Sequence, residues 1–226
     1  MTNEPRKSLI YHPTEEDSEP IEEYLIAQGL PDVPVLMGKF EHYHRLLTEH
    51  NKAVNLISRK MSPNSYWVQH FLDSLLAIQC LDFGDKTVLD FGSGGGLPGI
   101  PIKLVSPDCE LVLLDSINKK TRVLTEIVEA LSLPRTGVVC ARLEDYAYVA
   151  RRPSFDIILC RAVALQERYY SPLRRLLKPS GHLVMYKSRS MDDLDGVRYE
   201  QLIQIEDENL GLRRLIQIAQ RDLMKR

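Results

Sequence analysis

A glycine-rich segment that follows an apolar run contains the residue types best suited to hold a small molecule. Residues 88–101 read VLDFGSGGGLPGIP, with an apolar start, an aspartate at position 90 and glycines at 92, 94, 95 and 96. Glycine permits positive φ and a close approach of a ligand to the main chain, and Pro98 is tolerated at the start of a helix. The segment therefore predicts a strand, a tight turn and a helix start, as in nucleotide-type sites at the carboxyl end of a parallel strand.

Two patterns overlap in this turn and predict different ligands. Residues 94–99, GGGLPG, fit the G-x-G-x-x-G pattern of dinucleotide sites. Residues 90–96, DFGSGGG, fit the acid-x-G-x-G-x-G pattern of S-adenosylmethionine (SAM) methyltransferases. An aspartate at the mouth of the turn would repel a pyrophosphate and attract a sulfonium cation. Asp90 therefore favours SAM, although a turn-stabilising aspartate would give the same sequence.

Two further acids follow the next predicted strands. Asp115 closes the apolar run 111–114, roughly 20 residues beyond the glycine turn, where an acid can accept both ribose hydroxyls of a nucleoside. The alternative is an N-cap for the helix that begins near Lys119. Glu144 follows the third predicted strand, where the loop commonly runs beside an adenine; alone, it is more typical of a solvated acid at a helix start. Because both NAD and SAM contain a ribose, Asp115 indicates a nucleoside but does not distinguish between the two cofactors.

Length and composition fit one α/β domain with an appendage. The chain has 226 residues, 44% of them hydrophobic and 27% charged, which are ordinary values for a globular protein. No stretch approaches the ~18–20 apolar residues that span a bilayer. Four cysteines occur without a C-x-x-C pair, which indicates free thiols in a reducing compartment. We therefore expect a cytoplasmic protein without metal or membrane contact.

Charge argues against one class of function. The formal net charge is −2 and the pI about 6.3, whereas a general nucleic-acid coat carries a broad basic surface. A local basic patch is compatible with this balance.

The pattern of elements divides the chain into three parts. Residues 1–18 are polar and lack a signal-peptide pattern, so we expect a disordered tail. Residues 19–83 predict an N-terminal α-helical cap, with helices from about Glu19, over 35–50, and from Ser62 or Asn64 to Cys80. Residues 84–226 alternate strands and helices, which is typical of a doubly wound, mainly parallel sheet.

The predicted elements of the third part can be given individually. The predicted strands are 87–91, 110–115, 137–140, 155–160 and 182–187. The predicted helices are 99–105, 119–131, 143–148 and 167–177. Segments 200–206 and 212–220 predict a final antiparallel pair, with a helix as the alternative for the second segment.

These motifs together resemble one family. The turn 90–101 resembles the signature of the RsmG (also GidB) methyltransferases, bacterial enzymes that methylate N7 of one guanine of 16S rRNA, guanine 527 in the family. Other stretches match it in the same order: NK-x-x-NL at 51–56, HFLDS at 70–74, LLDS at 113–116, RLE at 142–144 and CRA at 160–162. The resemblance covers roughly residues 35–190. It implies a Rossmann-like class I SAM methyltransferase fold with 16S rRNA, in the small ribosomal subunit or its assembly intermediate, as the partner.

The resemblance also implies roles for individual residues. Gly92, Gly94 and Leu97 would line the SAM turn beside Asp90. Asp115 would hold the ribose, and Leu143 and Glu144 would flank the adenine. Arg161 would lie at the methyl-transfer face, where it would bind SAM and position the substrate; an ion pair with Asp156 or Glu144 is the alternative. Where the family usually has Lys-Gly after the fifth strand, this chain has Lys187-Ser188, and serine tolerates positive φ less well.

RNA contacts are predicted from position along the chain. His70, Lys119, Arg122 and Lys187 fall in loops or helices that would ring the mouth of the site, so we expect a local positive collar there. We expect the protein to be a monomer.

The segment after the fourth predicted strand indicates which atom is methylated. Methylation of an exocyclic amine usually relies on an Asp/Asn-Pro-Pro-aromatic motif, and methylation of a pyrimidine carbon on a cysteine nucleophile. This chain has LCRAV at 159–163, and we expect Cys160 to be a core thiol. Guanine N7 has an in-plane lone pair and no proton to lose, so alignment can suffice and we expect no general base. Methylation of a small metabolite is the alternative function.

Overall fold

The computed structural model describes residues 18–150, 153–208 and 210–224. The predicted tail, residues 1–18, lies outside this range except for Ser18. The first two helices are α1 (Glu19–Ala27) and α2 (Val33–Ala53). The Gly29-Leu30-Pro31 break separates them, as the sequence predicts. α2 buries one apolar stripe that includes Phe40, Tyr43 and Leu47.

The third predicted helix is a series of short helical pieces. A 3₁₀ turn at Pro63–Ser65 leads into a π-helical turn at Trp67–Leu72, which is followed by α3 (Asp73–Leu75) and a second 3₁₀ turn at Leu76–Gln79. π-helical turns are rare and frequently lie at functional sites. The regular apolar spacing predicts the helical segment correctly but gives no sign of the wider turn, which contains His70.

The remaining chain forms one seven-stranded sheet in the order β3-β2-β1-β4-β5-β7-β6. The strands are β1 (Thr87–Phe91), β2 (Glu110–Asp115), β3 (Thr136–Cys140), β4 (Phe155–Arg161), β5 (Leu177–Lys187), β6 (Glu200–Asp207) and β7 (Gly211–Ala219). The helices between them are α4 (Gly99–Val105), α5 (Asn118–Ala130), α6 (Leu143–Val149) and α7 (Glu167–Leu176). β1 to β5 are parallel, and β7 runs antiparallel to β5 and β6. The predicted α/β class with a mainly parallel sheet is confirmed, and the last segment is a strand.

One hydrophobic core joins the N-terminal helices to a face of the sheet. Phe40 and Phe71 belong to the same buried cluster as Leu113 and Tyr186, on β2 and β5. The opposite face packs against α6 and α7 through a second cluster. The helices therefore cover the sheet directly, and a domain boundary at 83/84 stays a prediction.

The strand order locates the ligand crevice. From β1 the chain proceeds outward through β2 and β3, and then returns to place β4 and β5 on the other side of β1. Such a reversal leaves a crevice at the carboxyl ends of the central strands. Across the described residues, no helix is both long and apolar enough to cross a membrane.

Candidate active site

A cavity of about 620 Å³ lies at the carboxyl ends of β1, β2 and β4, where the strand order reverses. Its volume is in the range of small-molecule sites. The lining comes from the glycine turn, from the ends of β2 and β3, from the loop after β4 and from the start of α7. The π-helical turn adds His70, and the loop after α2 adds the stretch from Leu56 to Ser58.

Most of the predicted cofactor residues line this cavity. They are Gly92, Gly94, Leu97, Asp115, Leu143, Glu144 and Arg161. The fold thus brings together residues that are up to about 70 positions apart in the sequence, because parallel strands end on the same edge of the sheet.

Asp90 lies beneath the glycine turn instead of at its mouth. The residue is fully buried, and its Oδ2 accepts hydrogen bonds from Ser93 Oγ at 2.7 Å and from the Gly99 N–H at 3.0 Å. Burial raises the pKa of Asp90 from 3.8 to about 6. The structure therefore corrects the prediction that this carboxylate faces the ligand: Asp90 stabilises the turn from below, which is the alternative that the sequence left open.

Two glycines of the turn are required by their surroundings. Gly92 has φ +76°, and a Cβ there would lie 2.7 Å from Val163 Cγ2 in the loop after β4. Gly94 has φ +58°, and its N–H donates to Asp115 Oδ2 at 3.0 Å. The turn is therefore tied to the end of β2. Gly92 has no room for a side chain, and Gly94 is required by its positive φ.

Asp115 closes the opposite side of the turn. Its Oδ1 accepts a hydrogen bond from the Ile117 N–H at 2.9 Å, and the residue is 7% exposed. Each carboxylate oxygen accepts more than one hydrogen bond, so the group retains acceptor capacity toward the cavity. α5 begins at Asn118 with Ile117 as its N-cap; Asp115 fixes the turn before the helix and does not cap it.

The third wall is formed by α6 and α7. Leu143 is buried at the first position of α6. Glu144 Oε1 lies 3.6 Å from Arg168 Nε, and the guanidinium of Arg168 stacks over the Tyr169 ring at 4.8 Å. All four residues line the cavity. The apolar side chain of Leu143 and the ion-paired carboxylate of Glu144 therefore lie at the position predicted for the adenine.

Arg161, the last residue of β4, reaches across to the helical segment. Its Nη1 donates to Asp73 Oδ2 at 2.9 Å, and its Nη2 donates to His70 Nδ1 at 3.0 Å. Arg161 therefore pairs with Asp73, and not with Asp156 or Glu144 as the alternative prediction had it. Asp156 pairs with Lys178 at 2.8 Å, and Glu144 with Arg168.

His70 lines the cavity as a neutral ring. Burial, and then the positive charge of Arg161, lower the pKa of His70 to about 3. Because a guanidinium only donates, Nδ1 is the acceptor of this contact and Nε2 carries the proton. The predicted contribution of His70 to a positive collar is therefore wrong.

The other predicted RNA residues lie outside the lining. Lys187 is ion-paired with Asp193 at 2.5 Å and is only 11% exposed. Asp193 Oδ2 also accepts the Leu165 N–H at 2.7 Å, so this pair joins the loops after β4 and β5.

The remaining predicted positions are exposed or unstrained. Ser188 has a negative φ, so the backbone at this position does not require glycine. Lys119 and Arg122 are exposed on α5, where their neighbour Lys120 reaches the cavity.

The buried amide of Asn51, which is not among the predicted site residues, shapes the roof of the cavity. Asn51 Oδ1 accepts the N–H groups of Leu56 and Ile57 at 2.9 and 3.1 Å, and its Nδ2 donates to the Tyr66 hydroxyl at 3.3 Å. This clamp holds Leu56 against the glycine turn, where its carbonyl lies 3.4 Å from the Cβ position of Gly94. In the sequence, only the NK-x-x-NL motif at 51–56 could have indicated this role of Asn51.

Cys160 is a core thiol. The residue is 3% exposed, and burial raises its pKa to about 12. A thiolate is the nucleophilic form of cysteine, so the structure does not prepare Cys160 for covalent catalysis.

Comparisons with known proteins agree with this geometry. The GidB family, described as rRNA small subunit methyltransferase G, matches residues 36–211. The ribosomal RNA small subunit methyltransferase G of Oenococcus oeni is 33% identical over 205 residues, which cover 84% of this chain and 84% of that protein. Its counterpart from Nitrosococcus oceani is 42% identical over 153 residues, 67% of this chain and 68% of that protein. The Desulforamulus reducens protein is 35% identical over 68% of this chain and 65% of its own length.

Solved structures show the same fold at low identity. A SAM-dependent methyltransferase from Aquifex aeolicus has a TM-score of 0.54 at 16% identity, over 68% of this chain and 93% of its own. A mutant of MtNAS in complex with S-adenosylmethionine has a TM-score of 0.55 at 15% identity, over 93% of this chain and 86% of its own. With the fold thus shown, and with a family match and relatives above 30% identity over most of its length, the chain belongs to the GidB family of rRNA small subunit methyltransferases G.

Proposed function

We propose that the chain transfers the methyl group of SAM to N7 of a guanine in 16S rRNA of the small ribosomal subunit, at guanine 527 as in the family. The observation that carries the proposal is that one cavity combines the glycine turn, the Asp115 carboxylate and the Arg161 guanidinium. Family membership supplies the substrate class.

The lining fits SAM part by part. Asp115 offers acceptor capacity for the ribose hydroxyls, and Leu143 offers an apolar surface for the adenine with Glu144 beside it. Gly92 and Gly94 line the cavity, and a main chain without side chains allows the methionine part to approach closely. When bound, SAM supplies an electrophilic methyl group on its sulfonium.

The titratable groups around the cavity support an acceptor atom that needs no base. His70 is neutral and its Nδ1 is occupied by Arg161. The Cys160 thiol has a pKa of about 12, and Asp90 is buried beneath the turn. Guanine N7 requires only alignment, which supplies on the order of 7–11 kcal/mol when the reactants are well oriented.

Arg161 is suited to align the guanine. Its guanidinium lines the cavity, and arginine is the usual donor to the O6 atom of guanine. A donor at O6 would orient the base while N7 keeps its lone pair for the methyl group. Phosphate is the other partner that this side chain fits.

Cations at the mouth of the cavity would bind the RNA backbone. Lys120, Arg142 and Arg168 line the cavity. Arg59 and Lys60 are exposed beside the roof, and Lys119 and Arg122 are exposed on α5. Each phosphate contact makes binding dependent on salt, so charge removal at Arg142 should reduce the salt dependence of RNA binding.

The proposal is tested by methyl transfer in vitro. Purified protein, labelled SAM and 30S particles or naked 16S rRNA from a strain without this methyltransferase are combined, and the nucleosides are identified by mass spectrometry. We expect label in 7-methylguanosine. Loss of the ribose contact in Asp115→Ala should reduce SAM affinity by at least about tenfold, since a hydrogen bond to a charged group contributes about 1.5–3 kcal/mol.

A matched control and a contrary outcome complete the design. Asp195→Ala removes an exposed acid outside the cavity lining and should leave transfer unchanged. Label in a different nucleoside, or in small metabolites alone, would refute the assignment.

A further inference from the structure

The terminal edge of the Arg161 guanidinium is occupied by protein groups. Nη1 bonds to Asp73 Oδ2 at 2.9 Å and approaches the Gln69 carbonyl at 3.4 Å, and Nη2 bonds to His70 Nδ1 at 3.0 Å. A guanidinium has five N–H donors. The Nε–H and the second N–H of Nη2 form the other edge, for which the described residues provide no partner. Because Arg161 lines the cavity, the side edge, which has no partner among the described residues, is the part of the guanidinium that remains for a ligand.

The carboxylate that holds Arg161 is shared with a second arginine. Asp73 Oδ1 accepts a hydrogen bond from Arg213 Nε at 3.0 Å, while its Oδ2 binds Arg161. The Asp73 side chain is 6% exposed and that of Arg213 is 23% exposed. A carboxylate that is removed from water is held in place by the groups that pair with it. Arg213 therefore holds the Asp73 carboxylate in place, and that carboxylate in turn holds the guanidinium of Arg161.

The three residues come from distant parts of the fold. Asp73 begins α3 directly after the π-helical turn, Arg161 ends β4 and Arg213 lies on β7. β5 separates β4 from β7 in the sheet, so Asp73 bridges two strands that do not pair with each other. Arg213 also lies beyond residues 36–211, the range that the family model matches. The C-terminal hairpin is thereby linked to the cavity.

We propose that Asp73 and Arg213 are positioning residues that act through Arg161, by fixing its guanidinium so that the Nε edge faces the guanine. This rests on the proposed function for its substrate. The arrangement has a clear physical consequence. With its terminal edge fixed, Arg161 has one orientation toward the cavity, whereas a guanidinium released from Asp73 would rotate among several.

Arg213→Gln tests the proposal without placing a charge in a new position. Glutamine keeps an N–H donor but removes the positive charge opposite Asp73. Because a displacement of about 1 Å at a reacting centre can cost on the order of a hundredfold in rate, we expect kcat for transfer to 30S particles to fall at least about tenfold. KM for SAM should change less than about threefold, since uniform binding is retained. Arg213→Lys, which restores the charge, should recover most of the loss.

A double-mutant cycle separates positioning from a purely structural role. If Arg213 acts through Arg161, then Arg213→Gln should have almost no further effect on kcat in an Arg161→Lys background. Arg214→Gln is the matched control, because this neighbour on β7 binds Gln204 and the Ser188 carbonyl instead. It should leave kcat unchanged. Additive effects in the cycle, or a fall in melting temperature without a fall in kcat, would overturn the proposal.

A readout without turnover keeps this proposal distinct from the proposed function. The ¹⁵Nε–Hε signal of Arg161, assigned by its loss in Arg161→Lys, reports whether the guanidinium is fixed. It should be sharp in the unmodified protein and broadened or shifted in Arg213→Gln and Asp73→Asn. An unchanged signal in folded Arg213→Gln would overturn the positioning role. Failure of the unmodified protein to methylate 30S particles would instead refute the rRNA assignment, and the signal would still decide the positioning.

Discussion

Replacing Asp90 by asparagine tests how the glycine turn is supported. The carboxyl is fully buried; its Oδ2 accepts two hydrogen bonds, whereas Oδ1 has no partner among the described residues. Asparagine can place its carbonyl oxygen at the Oδ2 position and its amide nitrogen at Oδ1. Asp90→Asn therefore resembles the protonated acid and keeps both hydrogen bonds without a buried charge.

The magnitude and its pH dependence follow from the pKa. Burial raises the pKa of Asp90 from 3.8 to about 6, which corresponds to about 3 kcal/mol. Because the folded pKa is the higher one, the folded state loses this stability as the pH rises from about 4 to about 6, and the cost is constant above that range. Asp90→Asn should therefore be more stable than the unmodified protein by up to about 3 kcal/mol at pH 8, and by about half as much at pH 5.

Thermal unfolding at several pH values measures this difference. At pH 8 the melting temperature of Asp90→Asn should be higher by roughly 6–12 °C, and the gain should shrink toward pH 5. His70 titrates in the opposite sense, since its pKa is lowered to about 3, but it is present in both proteins and cancels in the comparison. Asp145→Asn, an exposed acid on α6, should show no such gain. A loss of stability in Asp90→Asn at pH 8, or a loss of SAM affinity above tenfold, would refute the location of Asp90 beneath the turn.

Three further variants address the cavity. Gly92→Ala should reduce SAM affinity measured by calorimetry by more than tenfold, because φ is +76° and the new Cβ meets Val163 at 2.7 Å. Asn51→Ala releases one buried and one half-buried main-chain N–H group, and should weaken SAM binding roughly fivefold and lower the melting temperature. Cys160→Ala should keep kcat within about threefold, since a thiol with a pKa of about 12 is not a nucleophile; a hundredfold loss would show that it is one.

The sequence predicts the scaffold well because the scaffold follows local rules. Short, mainly apolar runs mark the parallel strands. β1 and β2 have the predicted bounds, and β3 and β4 differ from the prediction by one residue each. β5 begins earlier, at Leu177, because the first residues of that strand are partly polar. The predicted C-terminal antiparallel pair is confirmed as β6 and β7, although the sequence also allowed a helix for the second segment.

The site is predicted less completely because several of its features depend on long-range contacts. Asp90 is followed by glycines whether it lies above or below the turn, and only burial distinguishes the two. Lys187 is neutralised by Asp193, and His70 is neutralised by desolvation beside Arg161. The link from Asp73 to Arg213 joins residues 140 positions apart, and no spacing rule predicts it.

The most direct test of the proposed activity is the methylation state of 16S rRNA in cells. RNA is isolated from a strain that lacks the gene and from the same strain expressing either the unmodified protein or Asp115→Ala. Mass spectrometry of nuclease fragments then locates 7-methylguanosine. One such nucleotide should disappear in the deletion strain, return with the unmodified protein and return weakly or not at all with the variant. Full 7-methylguanosine at every position in the deletion strain would contradict it.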